Sequence, residues 1–170
     1  AILVGMGIPQ QMAMSGISKY KGGQVTESDD IYNENNNQKN YNKMIRGKSD
    51  SNTPYVKLDM EGGNLIIIGR SYPEHPELFY DPLLLEVSKY KGQLKLPKFT
   101  LKIALEIMNS GSTKYIFRLV KDLYELSTDM EIIWYYEVDD ESMLEEGQIY
   151  EESFPNSKFN LIGVEDLRKI

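Results

Sequence analysis

Apolar and polar residues take turns from Phe99 onward. Phe99, Leu101, Ile103, Leu105 and Ile107 alternate with Thr100, Lys102, Ala104 and Glu106. A period of two puts one set on one face of a pleated strand, so a strand is expected here. The period then lengthens. Ile116, Leu119, Val120 and Leu123 fall on one face of a helix, and Lys114, Arg118 and Lys121 on the opposite face. The polar segment Asn109-Ser110-Gly111-Ser112-Thr113 lies between them, so the helix begins there.

The same reading places the neighbouring elements. Val56 and Leu58 mark a short strand, and Glu61-Gly62-Gly63-Asn64 a turn. Asn64 to Gly69, with four consecutive apolar residues, reads as a strand covered on both faces. Pro76 to Tyr90 reads as a helix ended by Gly92. Pro82 leaves its start open: a helix beginning at Asp81-Pro82, or a longer one with Pro82 inside it. Glu131 to Glu137 is a further strand, Ser142 to Tyr150 a helix weakened by Gly147, and Phe159 to Gly163 a last strand. The order β-β-α-β-α-β-α-β makes each helix a crossover. The expected fold is α/β, with a mixed or mostly parallel sheet and covering helices.

Residues 1–54 differ in composition. They are rich in Gly, Gln, Ser and Asn, and the run from Tyr32 to Asn42 is polar and of low complexity. Such a segment buries too little apolar surface to offset the entropy of ordering it. A low-complexity, disordered or linker arm is expected over 1–52, and a folded domain over 53–170. Ala1 to Ile8 is apolar but short, and no basic residue precedes it. No run is long enough to span a membrane.

Charge is uneven. Residues 1–54 hold six Lys/Arg and five Asp/Glu; residues 55–170 hold thirteen and twenty-one. Glu137 to Glu152 holds eight acids and no base. That balance repels phosphate backbones, so nucleic acid is not an expected partner. The acidic run has no calcium-loop spacing and reads as a solvated or partner-facing surface. The chain has no cysteine and one histidine, His75. Disulfides, thiolate chemistry and multi-histidine metal sites are therefore excluded within it. His75 reads as a loop histidine without a triad pattern. Trp134, Tyr135 and Tyr136 read as core packing or as an aromatic platform. No nucleotide motif is present, and no catalytic residue, metal ligand or cofactor is assigned.

The junction 109–114 carries the most information. Three hydroxyls, on Ser110, Ser112 and Thr113, sit where a helix exposes unpaired N–H groups and the positive end of its dipole. Residue types alone leave two readings open: ordinary capping, or a regulated hydroxyl that takes a phosphate.

Three segments in order bear on that choice. They are Gly69-Arg70-Ser71-Tyr72-Pro73-Glu74 with Phe79-Tyr80-x-Pro82-Leu83-Leu84, then Asn109-Ser110-Gly111-Ser112-Thr113-Lys114, then Trp134-Tyr135-Tyr136-Glu137 continuing to Gly147. Together they resemble the SiaC family of bacterial signalling proteins. The resemblance implies a STAS-like fold and a non-enzymatic, cytoplasmic phosphoprotein. It implies three partners: a SiaB-like kinase, a PP2C-type phosphatase, and a diguanylate cyclase or other effector. By position it assigns phosphorylation to Ser110, with Ser112 and Thr113 as alternates, and partner contact to Asn109, Gly111, Lys114 and Arg118. Ser110 stands where the family has Thr, and Gly111 where it has Ser. A STAS-like antagonist acting on a sigma factor or another regulator is the alternative output.

Overall fold

The computed structural model describes residues 52–93, 96 and 98–170, and the backbone of two strand segments before them. The elements in chain order are β1 (Val25–Glu27), β2 (Met44–Gly47), β3 (Tyr55–Asp59), β4 (Asn64–Ser71), α1 (Pro76–Ser88), β5 (Phe99–Met108), α2 (Ser110–Leu126), β6 (Met130–Glu137), α3 (Glu141–Ser153), β7 (Lys158–Val164) and a closing 3-10 turn, Leu167–Lys169. From Tyr55 on, this is the expected order. β1 and β2 lie in the segment read as an arm; strands of three and four residues are too short to show a period. The Tyr32 to Asn42 run and Ala1 to Ile8 lie outside the described residues.

All seven strands form one sheet in chain order. β1 to β4 are antiparallel neighbours and β4 to β7 are parallel. The β3–β4 turn is the expected glycine turn. The Asp59 carboxylate accepts from Gly62 N at 2.8 Å, and Gly63 turns with φ 74°. A Cβ at Gly63 would lie 2.5 Å from the Lys98 carbonyl, so glycine is required there on both counts.

Each helix crosses between adjacent parallel strands. Right-handed crossovers taken in one direction across a sheet place every helix on the same face. The core therefore lies on one side. Leu65, Ile67, Phe99, Leu101, Ile103, Ile132 and Trp134 meet Phe79, Leu83 and Val87 of α1, Ile116, Leu119 and Val120 of α2, and Tyr150 of α3. This corrects one expectation. Strand β4 is covered on one face; Ile66 and Ile68 on the other face are half-buried and Lys102 beside Ile66 is exposed. The closing 3-10 turn packs against β5 and β6, and its buried Leu167 donates its N–H to Glu137 Oε2 at 2.9 Å.

Helix α1 begins at Pro76 and carries Pro82 inside it, which settles the open start. Proline in a helix interior removes a hydrogen bond. The burial of Phe79, Tyr80, Leu83, Leu84 and Val87 holds the helix together across that gap. Gly92, with φ 83°, follows the helix as expected.

Candidate functional site

The site lies at the carboxyl ends of β4 and β5. Strand β5 carries a bulge there: Gly69 pairs with Leu105, but Arg70 pairs with Ile107. Glu106 is the extra residue. The bulge breaks the alternation, so Ile107 is 46% exposed instead of joining the apolar row. Glu106 instead takes an ion pair with Arg70 at 2.9 Å. Four residues later the chain enters α2 at Ser110.

Asn109 organises that entry. Its side-chain oxygen accepts from Ser112 N at 2.8 Å, which makes it the N-cap of α2. Its side-chain amide donates to the Pro73 carbonyl at 3.1 Å, and its own N–H donates to the Ser71 carbonyl at 2.9 Å. One asparagine thus ties the start of α2 to the end of β4 and to the loop before α1. Pro76 packs against Gly111 from the other side; a Cβ at Gly111 would lie 3.0 Å from Pro76 Cγ.

The three hydroxyls have different fates. Ser112 is fully buried, and its oxygen accepts from the Ser71 hydroxyl at 2.7 Å. Ser71 in turn lies 2.6 Å from the Tyr80 hydroxyl, also fully buried. Burial pushes the Tyr80 phenol well above its ordinary range, so it stays protonated. Thr113 is half-buried, and its hydroxyl donates back to the Asn109 carbonyl at 3.0 Å. Ser110 is exposed, and its side chain makes no hydrogen bond among the described residues.

Lys114 and Arg118 follow at one and two turns, both exposed as the helical period predicts. Lys114 is on the same face as Ser110. Arg118 acts on Asp81 of α1: burial and the Glu77 charge raise the Asp81 carboxyl, and Arg118 opposes them. Tyr115 stacks on Tyr80 with ring centres 5.8 Å apart. The first turns of α1 and α2 therefore form one braced surface around Ser110.

Ser71, Pro73, Pro76 and Tyr80 brace the junction, and residue types alone did not mark them as site residues. All but Pro76 stand in the quoted first motif, which was legible as a resemblance and not as a contact. The third motif makes a lock of its own. Trp134 donates its indole N–H to the Met143 carbonyl at 3.0 Å, and Asp140 caps α3 by accepting from Met143 N at 3.0 Å. Trp134 is a core residue, while Tyr135 and Tyr136 are half-buried. His75 is exposed, with Nδ1 3.1 Å from Glu77 Oε2. Among the described residues no helix is long and apolar enough to cross a membrane.

Comparison with known proteins bears on this arrangement. The model of the SiaC family regulatory phosphoprotein matches residues 47–164. Three solved structures from Pseudomonas aeruginosa share the fold. A chain in the crystal structure of the complex between the diguanylate cyclase SiaD and its activator SiaC aligns with TM-score 0.61 and 19% identity, over 70% of this chain and 98% of that one. Apo-SiaC aligns with TM-score 0.58 and 21% identity, over 71% and 98%. A further SiaC structure aligns with TM-score 0.54 and 18% identity, over 70% and 95%. At these identities the likeness is one of fold. No curated protein matches the chain.

Proposed function

This chain belongs to the SiaC family of regulatory phosphoproteins, and on that premise we propose that it is a non-enzymatic cytoplasmic switch whose phosphoacceptor is Ser110. The observation that carries this reading is the difference among the three hydroxyls. Ser112 is buried and bonded, Thr113 is bonded back into its own helix, and Ser110 is exposed and unbonded among the described residues. A kinase reaches Ser110 without unfolding the turn.

A phosphate there adds roughly 1.5 to 2 negative charges and three strong acceptors. The start of α2 favours that charge through its dipole, by about 0.3–1 kcal/mol at an exposed site, and Lys114 stands one turn away. The protein itself tolerates the phosphate; a partner packed against the first turns of α1 and α2 does not. In this reading a SiaB-like kinase adds the phosphate and a PP2C-type phosphatase removes it. The bare form binds an effector such as a diguanylate cyclase through Gly111, Lys114, Arg118 and the exposed edge of Asn109. Residues 53–170 are the switching domain.

The test is phosphorylation by a SiaB-like kinase with ATP, mapped by mass spectrometry. Phosphate on Ser110, absent from Ser110→Ala, is expected. Phosphate on Ser112 or Thr113 with Ser110 bare sinks the assignment. Ser110→Asp should lose the effector that Ser110→Ala retains in a pull-down.

A further inference from the structure

Strand β3 is the first strand that lies wholly within the part of the chain that the family model matches. It pairs with β4 residue for residue, without a bulge, and its Val56 and Leu58 are fully buried. It contains no proline. Its other edge, left bare, would offer a row of unpaired N–H and C=O groups, a template on which another chain can add a strand. Strand β2 occupies that edge: Met44 pairs with Asp59, Ile45 with Leu58 and Arg46 with Lys57. β1 pairs outside β2, Val25 with Gly47 and Glu27 with Ile45.

All of β1, and β2 up to residue 46, lie before the stretch that the family model matches. The family match begins at residue 47. The three solved structures are spanned over 95 to 98% of their own length by 70 to 71% of this chain. We propose that β2 is a built-in cover: residues 44–47 occupy the β3 edge of their own chain and close it to strand addition by a second copy. The occupant is the chain's own segment because that segment is the one seated in register on the edge. The inference is independent of the phosphoacceptor.

The chain has no cysteine, so Arg46→Cys and Lys57→Cys together provide the only two thiols. Opposed residues of an antiparallel pair have Cα atoms about 4.5–5.5 Å apart, within reach of a disulfide. Oxidation should give a monomer with one intrachain bond, seen by intact mass and non-reducing gel. Free thiols, or a dimer linked between chains, overturn the proposal. In the full chain, Ile45→Pro with Arg46→Pro removes ladder donors from β2. The β3 amides that do not bond to β4 should then exchange at least tenfold faster, and the mass by light scattering should rise with concentration. The unmodified chain should stay monomeric. Unchanged exchange, or a monomer at every concentration, overturns the proposal. The near-ultraviolet signal of Trp134 checks that the proline variant is folded, and the cysteine pair decides the matter if it is not.

Discussion

The hydroxyl of Ser71, the last residue of β4, donates to the hydroxyl of Ser112 in the first turn of α2 across 2.7 Å. Tyr80 reaches the same Ser71 oxygen from α1 at 2.6 Å. Three elements therefore meet in one buried chain of hydroxyls. Removing the middle member takes one hydrogen-bond partner from each of the other two in an apolar site. Ser71→Ala is expected to cost about 1–3 kcal/mol, and Tyr80→Phe, which keeps the ring, about 1 kcal/mol. The two losses should not add in the double variant, because both act on one chain. Urea unfolding of the four proteins measures this; strict additivity would show that the chain does not act as a unit.

Asn109→Ala removes both the cap on Ser112 N and the bridge to Pro73. A cap alone is worth about 0.5–2 kcal/mol, and this residue also anchors a loop, so the upper half of that range is expected. Asn109→Asp keeps the accepting oxygen and loses the donor, so it should fall between. The urea midpoint should drop in that order with an unchanged slope.

Gly147→Ala reverses a general rule. In a helix interior, replacing glycine with alanine typically gains about 1 kcal/mol. Here the added Cβ would lie 2.6 Å from Leu161 Cδ2 and 2.7 Å from Trp134 Cδ1. The indole is held by its bond to Met143, so it yields poorly. Overpacking of this kind costs about 1–3 kcal/mol. A lower melting temperature with a changed near-ultraviolet Trp134 signal is expected; a stabilised protein would refute the packing.

Asp166 is held at about 2, chiefly by its hydrogen bonds from the Arg168 side chain and backbone. A carboxyl lowered in the folded state contributes stability that is complete above its unfolded value, near 4, and lost as pH falls toward 2. The closing turn should therefore persist at pH 4 and loosen below it. The carboxyl carbon shift of Asp166 in an NMR titration reads the midpoint, and a midpoint near the ordinary Asp value would contradict the turn.

Much of the fold was legible because period and burial agreed. Phe99, Leu101, Ile103 and Leu105 are buried as written, although Ala104 between them is buried too, and Ile116, Leu119, Val120 and Leu123 are all buried. Period failed where a backbone irregularity intervened: one extra residue in β5 turns Ile107 outward, and no residue type announces it. Ile66 and Ile68 looked like core because apolar runs do not say how many faces of a sheet are covered. At the junction, Asn109 was legible as a helix start. The separate fates of Ser110, Ser112 and Thr113 were not, because they depend on Ser71 and Tyr80, which are distant along the chain.

The chain-order sheet has one more consequence. Open α/β sheets commonly hold small ligands in the crevice where the strand order reverses and successive helices pass to opposite faces. From β4 to β7 the order never reverses, so successive loops at the carboxyl edge lean the same way instead of parting. The edge that carries Ser110 is a platform without a topological switch point. Under the proposed function this platform meets another macromolecule, and a phosphate on Ser110 changes the charge of that contact.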